Sequence, residues 1–335
     1  MKRIAYHTYG SPDVLQCEEV AVPLPGDDQV LLRVRAAALN ALDVGLLKGE
    51  PRILRLFFGY PKPKVSSPGR DVAGVVETVG RNVTGFKRGD EVFGVCFGKG
   101  WGDKADGAFA EYARTVPSAL ALKPPELTFE QAAALPVAGL TALQALRDKG
   151  AIQPEQSVLI HGAGGGVGTF AVQIAKALGA SVTAVSSTAN LDLMRSMGAD
   201  HVIDYTREDF TRSAFRFDIV LDCHPDHSPI ACGRVLKPRG KYIPVGGPSG
   251  HWIGALARII TTIFIALVLS PFARRKLVFF MAKVNSADLE ALAQLAAAGK
   301  LKPVIDRSYS LADVPEAFRY LNSKHAHGKV VVTVA

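Results

Sequence analysis

Apolar and polar positions alternate over short stretches in the first 125 residues, which is the pattern of half-buried β-strands. Residues 29–36 alternate in this way, and residues 71–79 form a second apolar stretch, DVAGVVETV. A turn at Gly89-Asp90 follows, and Gly and Pro are frequent throughout this part. Short strands joined by tight turns predict a partly open barrel or a strongly twisted sheet.

The pattern changes after residue 125, where Ala and Leu recur at helical spacing over residues 127–145. Strand-like and helix-like stretches then alternate. The predicted strands are SVLIHG, SVTAVS, HVIDY, DIVLDC and KYIPVG, and the predicted helices cover residues 169–178, 191–197 and 230–236. Repeated strand–helix–strand units indicate a parallel sheet with right-handed crossovers, and therefore an α/β fold.

The last part of the chain returns to mixed structure. Residues 287–298 predict an Ala- and Leu-rich helix ended by Gly299, VPEAFRYL predicts another helix, and GKVVVTV predicts a closing strand. We expect this tail to rejoin the first domain, so that the parallel-sheet domain is inserted in the middle of the chain.

The composition fits two soluble domains with sizeable cores, because the chain has 335 residues, of which 48% are hydrophobic and 21% charged. Its formal net charge is +8. Lys and Arg are scattered, and aromatic residues do not alternate with them along a stripe, so nucleic-acid binding is not expected. A basic protein of this kind favours anionic small molecules such as a phosphorylated cofactor.

Cysteine spacing and the N-terminus bear on the compartment. None of the four cysteines, Cys17, Cys96, Cys223 and Cys232, forms a C-x-x-C pair. This spacing fits neither a disulfide framework nor a four-cysteine zinc site, and it agrees with a reducing compartment. The N-terminus lacks the apolar run of a secretory signal. We therefore expect a cytoplasmic protein.

A glycine-rich turn is the strongest single motif. In HGAGGGVG, which follows a predicted strand and opens a predicted helix, Gly162, Gly165 and Gly168 are each three residues apart. Small residues let the chain turn sharply and bring backbone N–H groups close to a diphosphate, and the positive end of the helix dipole adds to the attraction. Strand, glycines, helix and second strand together predict a dinucleotide site. No G-K-[ST] follows, which disfavours a P-loop.

The end of the second predicted strand favours NADPH over NADH. An NAD site usually places an acidic residue there to bind the ribose 2′-hydroxyl, but this chain has Ser187 and Thr188, and its next acid is Asp192. Ser187, Thr188 and Tyr205 are predicted donors to a 2′-phosphate. NADH stays an alternative because no Lys or Arg lies on this turn.

These motifs, with others along the chain, carry a family resemblance. The other stretches are YGSPDVL, PLPGDDQVLLRVRAAALNALD, GRDVAGVVETVG, GDEVFG, GAFAEYA, LPVAGLTALQAL, GADHVIDYTREDF and HGKVVVTV. Over nearly its whole length the chain resembles the medium-chain dehydrogenase/reductases, in their zinc-independent, quinone-oxidoreductase-like branch. The resemblance implies a GroES-like β-barrel domain, residues 1–125 and 280–335, with an inserted Rossmann domain at residues 126–279.

The resemblance also implies that the usual zinc sites are missing. Asn40 stands at the place of the cysteine ligand, Arg70 at that of the histidine, and Val137 near that of the third ligand. Zinc needs thiolate, imidazole or carboxylate donors, so no metal site is expected. His224 and His227 do not alter this expectation, because two histidines without a third ligand nearby do not make a metal site.

For the cofactor, the resemblance implies contacts from several positions of the middle domain. These are Gly164, Gly166 and Val167 of the glycine turn, Ser187, Tyr205 and, near the nicotinamide or its phosphates, Thr141. Relatives often carry an arginine directly after the Ser-Thr pair, where this chain has Ala189.

Two residues are candidates for the catalytic step. Without zinc, hydrogen-bond donors must stabilise the negative charge that develops on the acceptor oxygen. Asn40 is the predicted donor, and Asp43 is predicted to orient water or a donor. The alternative for both is that they tie a turn together through side-chain hydrogen bonds to the backbone.

Residues 252–270 are unusually apolar, WIGALARIITTIFIALVLS, but Arg258 interrupts them. A charge inside a membrane span costs about 2.5–3.5 kcal/mol, so a transmembrane helix is disfavoured. Three interpretations stay open: a helix over the substrate cleft, a contact within a homodimer, or a peripheral membrane contact.

The sequence therefore predicts an NADPH-dependent oxidoreductase that reduces a quinone, an enone or another small carbonyl acceptor by hydride transfer. One alternative is a cofactor-binding regulatory or interaction protein with little turnover. Another is an alcohol dehydrogenase.

Overall fold

The computed structural model describes residues 1–50, 52, 55–64, 66–96, 106–245, 276–323 and 326–334. The chain divides into two compact units. The terminal unit comprises Met1–Leu140, Lys283–Gly299 and Pro303–Ala335, and the middle unit comprises Thr141–Ala282 with Lys300–Lys302. The sequence predicted changes of domain at residues 125 and 280. The first change falls later because the helix that follows residue 128 packs on strands of the terminal unit.

The strands, in chain order, are β1 Lys2–Ala5, β2 Gln16–Glu19, β3 Val30–Ala38, β4 Asp71–Val79, β5 Glu91–Val95, β6 Tyr112–Thr115, β7 Leu120–Leu122, β8 Ser157–His161, β9 Ser181–Ser186, β10 His201–Asp204, β11 Phe217–Asp222, β12 Leu236–Pro244, β13 Lys276–Leu277, β14 Ile305–Ser310 and β15 Lys329–Thr333.

The helices are α1 Ala41–Lys48, α2 Arg55–Phe58, α3 Phe129–Ala134, α4 Pro136–Leu143, α5 Gly166–Ala177, α6 Leu191–Ser196, α7 Pro229–Arg234, α8 Ser286–Ala297 and α9 Val314–Asn322. A π-helical turn, Gln144–Gly150, follows α4. The predicted helix at residues 230–236 ends earlier than expected. The backbone N–H of Phe217 binds the carbonyl of Val235 at 2.8 Å, and Leu236 already belongs to β12.

The terminal unit is built on a seven-stranded sheet of order β14-β15-β3-β4-β5-β7, in which β6 also pairs with β3. The predicted alternation holds only in part of β3: Val30, Leu31, Leu32 and Val34 are buried and Arg33 is exposed. The strand is buried over most of its length because β15, β4 and β6 all pair with it. The rings of Phe109 and Phe318 meet edge to face in the core, 5.9 Å apart, and so join the first and last parts of the chain.

The middle unit contains a six-stranded parallel sheet of order β10-β9-β8-β11-β12-β13. Its central strands are almost wholly buried, as expected of parallel strands that are covered on both faces. From β8 the chain moves outward through β9 and β10, then returns to the other side of β8 with β11. Ligands of such sheets bind at the carboxyl ends of the strands where the order reverses, here between β8 and β11.

In the described part of the chain, no helix is long and apolar enough to cross a membrane. The apolar segment 252–270 lies outside the described residues.

Candidate functional site

The glycine turn lies at the switch point of the parallel sheet. β8 ends at His161, and α5 begins at Gly166 with Gly165 as its N-cap residue. Gly165, Gly166 and Val167 are partly exposed. The first turn of a helix leaves backbone N–H groups without helical partners, and these attract anions. The turn therefore has the geometry that a diphosphate requires.

Three glycines of the turn stand where a larger residue would be strained or would clash. Gly162 has φ +72°, in the left-handed region that other residues rarely adopt. A β-carbon on Gly168 would lie 2.3 Å from the carbonyl oxygen of Gly162, so a side chain there would push α5 away from the turn. Gly164 is also tight, because a β-carbon there would lie 2.5 Å from Nδ2 of Asn190.

At the end of β9, the structure corrects one expectation. An acid does stand beside Ser187 and Thr188: β10 runs parallel to β9 with Asp204 level with Ser186, and the hydroxyl of Thr188 donates to Oδ2 of Asp204 at 2.5 Å. The acid was missed because it comes from the next strand. In this structure the hydroxyl of Thr188 therefore already has a partner in Asp204.

A cation accompanies this carboxylate. Hydrogen bonds from Thr188 and Thr206 hold the pKa of Asp204 below its ordinary value, so it is ionised at neutral pH. The guanidinium Nε of Arg207 lies 3.6 Å from Oδ2 of Asp204, and the Arg207 side chain is 77% exposed. Arg207 was not predicted from the sequence, although an arginine three residues after the end of β10 was a usable signal.

The other predicted cofactor residues lie as follows. Ser187 is partly exposed, and its hydroxyl accepts a hydrogen bond from Nδ2 of Asn190 at 3.3 Å. Tyr205 directly follows β10 and is 56% exposed. Thr141 lies in α4 and is partly exposed. Ser187, Tyr205 and the glycine turn thus share the carboxyl edge of the sheet, whereas Thr141 is placed on a helix.

In the terminal unit, the predicted donor Asn40 belongs to a buried polar cluster. Its Nδ2 donates to Oδ2 of Asp71 at 2.9 Å, and its Oδ1 accepts from the ammonium of Lys329 at 2.7 Å. Lys329 also binds Oδ2 of Asp71 at 2.9 Å, and the backbone N–H of Val137 donates to Oδ1 of Asp71 at 2.9 Å. Every oxygen in the cluster is therefore hydrogen-bonded.

Strand order brings this cluster together. β15 and β4 flank β3, Lys329 is the first residue of β15, and Asp71 is the first residue of β4. Asn40 follows the end of β3, which lies between them. Asp71 and Lys329 were missed as site residues, but each is a charged residue at the start of an apolar strand, and buried charges need partners.

The same cluster occupies the place where the resemblance would put catalytic zinc. The amide of Asn40, the guanidinium of Arg70 and the apolar Val137 supply no thiolate, imidazole or carboxylate. The ammonium of Lys329 already lies against Asn40, and a second cation beside it would be repelled. The residues present do not fit a catalytic zinc ion.

Asp43 ties backbone segments together. Its Oδ2 accepts from the backbone N–H of Asn40 at 2.8 Å, and its Oδ1 accepts from that of Gly69 at 3.1 Å. Asp43 is 2% exposed, and burial raises the pKa of its carboxyl group to about 6. These contacts are those of a residue that ties a turn together through backbone hydrogen bonds, the alternative that the sequence left open.

A parallel-sheet unit with a glycine turn at its switch point, joined to a separate β-rich unit, defines the class of two-domain dinucleotide-binding dehydrogenases and reductases. Residues 26–126 match the family described as alcohol dehydrogenase GroES-like domain, and residues 197–332 match the family described as zinc-binding dehydrogenase. The chain belongs to the medium-chain dehydrogenase/reductase superfamily, in its quinone-oxidoreductase-like branch. The resemblance and the fold class that the sequence predicted are thereby confirmed.

Individual relatives are similar over their length. The 2-methylene-furan-3-one reductase of Solanum lycopersicum is 39% identical over 338 residues, covering 99% of this chain and 79% of the relative. The chloroplastic NADPH-dependent alkenal/one oxidoreductase of Arabidopsis thaliana is 37% identical over 342 residues, with the same coverage of 99% and 79%. Among solved structures, the quinone oxidoreductase of Coxiella burnetii has a TM-score of 0.83 and 30% identity, covering 100% of this chain and 99% of that one.

Proposed function

We propose that this protein is an oxidoreductase that transfers hydride from NADPH to the conjugated double bond of an enone or to a quinone. The observation that carries the proposal is the state of Asn40, whose amide is held by Asp71 and Lys329 where a metal-dependent relative would need a ligand. Relatives named as reductases of a methylene-furanone, of alkenals and enones, and of quinones support this choice of acceptor.

The middle unit is the proposed site of the cofactor. Backbone N–H groups at the start of α5 bind the diphosphate. Arg207 and the side chains of Ser187 and Tyr205 bind the 2′-phosphate, and Arg207 also neutralises the Asp204 carboxylate, which would otherwise repel it. The name of the Arabidopsis relative, an NADPH-dependent enzyme, supports the same preference.

The terminal unit supplies the donor for the acceptor oxygen. Bound NADPH would supply a hydride. As the β-carbon of the enone accepts it, the electron pair of the C=C bond shifts towards the carbonyl oxygen. Asn40 uses one of its two amide N–H groups on Asp71, which leaves the second for this oxygen. The positive charge of Lys329 behind the amide strengthens that donor. A proton from water then reaches the α-carbon.

The test compares matched acceptors. NADPH oxidation is followed with cyclohexenone, its saturated analogue cyclohexanone, and a naphthoquinone, with NADH in parallel. We expect turnover of the enone and the quinone, no turnover of the ketone, and, with NADPH deuterated at the transferable position, deuterium at the β-carbon of the product. Reduction of cyclohexanone alone indicates an alcohol dehydrogenase. Tight NADPH binding without turnover of any acceptor indicates the regulatory alternative.

The proposal also covers the oligomeric state and the location of the protein. We propose a homodimer in the cytoplasm, with residues 252–270 as its contact or as a peripheral membrane contact. Light scattering gives the oligomeric state, and flotation with anionic vesicles, with and without residues 252–270, tests the membrane contact. The Arabidopsis relative is named chloroplastic, so fluorescence of the tagged protein in its own cell is the measurement for location.

A further inference from the structure

The middle unit contains a cluster of side chains of the kinds that bind metal ions. His161 ends β8, while Asp226 and His227 lie in the loop between β11 and α7, and one ligand atom from each lies within 4.8 Å of the others. We propose that these three residues form a binding site for a divalent transition-metal ion such as Zn²⁺. His227 was not expected to bind metal because a third ligand was missing from the sequence nearby; the fold supplies His161 from a neighbouring strand.

His161 is oriented as a metal ligand would be. β8 pairs with β11 so that His161 lies opposite Asp222, and Nδ1 of His161 lies 2.8 Å from Oδ1 of that buried carboxylate. A carboxylate only accepts hydrogen bonds, so Nδ1 donates to it, and in the neutral ring the lone pair for a metal ion is on Nε2. The His161 side chain is 4% exposed, and its Nε2 lies 3.8 Å from Oδ1 of Asp226, too far for a hydrogen bond.

Asp222 is itself held from two other directions. The hydroxyl of Tyr242 donates to its Oδ2 at 2.7 Å, and the backbone N–H of His224 donates to its Oδ1 at 3.1 Å. Metal-binding histidines are usually oriented in this way by a fixed carboxylate on the far ring nitrogen. The orienting partners of His161 are therefore in place without any change in the fold.

The open side of the cluster is negative and reachable. Oδ1 of Asp226 lies 2.6 Å from Nδ1 of His227, and the two side chains are 43% and 30% exposed. Phe210 covers the opposite side, with ring centroids 4.8 Å from His161 and 4.9 Å from His227. An ion can thus enter from solvent and keep water as a further ligand.

The chemistry of the ligands selects the ion. Two imidazoles and one carboxylate suit Zn²⁺ and its neighbours better than Mg²⁺ or Ca²⁺, which prefer oxygen ligands. Ligand atoms about 2.0–2.2 Å from zinc lie roughly 3.3 Å apart in a tetrahedral site. The ligand atoms of the cluster lie within 4.8 Å of one another, so the side chains must shift for an ion to bind. The 2.6 Å hydrogen bond between His227 and Asp226 has to open at the same time, and both of these side chains are partly exposed. This site is in the middle unit and does not involve Asn40, Arg70 or Val137.

Zinc binding to the full chain tests the proposal. A Cys17→Ser background removes an exposed thiol that would bind zinc on its own. After dialysis against ZnCl₂, metal analysis should give one equivalent per chain, and calorimetry should give a single dissociation constant. Co²⁺ in place of zinc should show the visible absorption of a low-coordinate site.

The variants separate the site from general surface binding. His227→Ala removes a partly exposed ligand, and circular dichroism checks that it folds; we expect the one equivalent to be lost. Tyr242→Phe removes the hydrogen bond from Tyr242 to Asp222 but removes no ligand of the ion, and we expect roughly 10–100-fold weaker zinc binding. His201→Ala, an exposed histidine that stacks on Phe215 away from the cluster, should leave binding unchanged. The proposal is overturned if His227→Ala still binds one equivalent of zinc, or if His201→Ala loses it. It is also overturned if the Cys17→Ser protein binds no zinc.

Discussion

The ammonium of Lys329 lies 2.9 Å from Oδ2 of Asp71, and the two side chains are 3% and 0% exposed. This pair joins the closing strand of the chain to the start of β4, on the other side of β3. A buried ion pair contributes little net stability compared with apolar residues, but a buried charge that loses its partner is costly. The pair therefore ties β15 to β4, and losing either partner leaves a buried charge in the terminal unit.

The first prediction concerns that pair. Lys329→Met removes the ammonium and leaves Asp71 as an unpaired buried charge, so we expect the free energy of unfolding to fall by about 3–5 kcal/mol. The double variant Lys329→Met/Asp71→Asn removes both charges and should recover a large part of the loss. Urea unfolding followed by circular dichroism measures both.

The matched control is an exposed ion pair of the same unit. Arg81 and Asp27 are 2.6 Å apart, with side chains 78% and 51% exposed, and such pairs contribute about 0–1 kcal/mol. Arg81→Ala should therefore change stability little. Equal losses in Lys329→Met and Arg81→Ala would show that the buried pair has no special role.

The second prediction tests Asn40 as the donor to the acceptor oxygen. Asn40→Ala should lower kcat with an enone by roughly 100-fold, the usual loss for one donor to a developing oxyanion. The KM for NADPH should change little, because the proposed cofactor contacts lie in the other unit. Asn322→Ala, an exposed asparagine that accepts from Lys48 at 2.6 Å, is the control. A normal kcat in Asn40→Ala removes the proposed role.

Local patterns were enough to predict the elements around these residues. Alternation predicted β3, and an apolar stretch predicted β4. Helical spacing predicted α5 and α8, with Gly299 marking the end of α8, because short-range propensity and burial determine such elements. The glycine turn was predictable for the same reason, since residues 162–168 form one continuous stretch of sequence.

Contacts between distant strands were not predictable in this way. Lys329 meets Asp71 only because β15, β3 and β4 are neighbours, and Asp204 meets Thr188 only because β10 lies in register beside β9. The pattern within one strand does not show which strand distant in sequence will lie beside it. The acid at the cofactor end of β9 was therefore missed, although both strands were predicted.

The third prediction concerns cofactor choice. Arg207→Ala removes the cation beside Asp204 and exposes its carboxylate to the 2′-phosphate, so we expect the KM for NADPH to rise about tenfold, which is about 1.4 kcal/mol. The KM for NADH should stay the same or fall, because a bare acid at this place suits the ribose hydroxyl. Steady-state kinetics with both cofactors measure the ratio.

Arg212 gives a closely matched control for Arg207. It pairs with Asp209 three residues earlier, with Nε to Oδ2 3.5 Å, and is 85% exposed. Arg212→Ala removes the same charge from the same unit but away from the end of β9. A shift in the NADPH to NADH ratio as large as that of Arg207→Ala would assign the effect to net charge alone.

The fourth prediction concerns the glycine turn. In Gly168→Ala the new β-carbon would lie 2.3 Å from the carbonyl oxygen of Gly162, which is too close. The start of α5 must therefore move, and its N–H groups no longer point at the diphosphate. We expect NADPH binding, measured by calorimetry, to be lost or weakened at least tenfold. Gly233→Ala is the control, because a β-carbon there meets nothing within 4 Å, and alanine in a helix is about 0.5–1 kcal/mol better than glycine. Unchanged affinity in Gly168→Ala contradicts the assigned diphosphate site.

The fifth prediction is a pH dependence that arises from Asp43. Burial raises its pKa to about 6, above the value of about 3.9 in an unfolded chain. Between about pH 4 and pH 6 the native state keeps a proton that the unfolded chain releases. The free energy of unfolding should therefore fall as the pH rises through this window, by up to about 3 kcal/mol, and level off above it.

Subtracting the unfolding free energies of Asp43→Asn from those of the native protein, measured in urea at each pH, isolates this contribution, because the other carboxyl groups titrate in both. The amide of Asp43→Asn keeps only one oxygen for the backbone N–H groups of Asn40 and Gly69. The variant should therefore be less stable at every pH, and its stability should lack the pH dependence that Asp43 contributes. Glu18→Gln should give a slope of the opposite sign, because the hydrogen bond with His7 lowers the pKa of Glu18 and its stabilisation is lost as the pH falls. A flat difference for Asp43→Asn between pH 4 and pH 6 would mean that the carboxyl group is ionised at its ordinary pH, and that its two backbone hydrogen bonds outweigh the cost of burial.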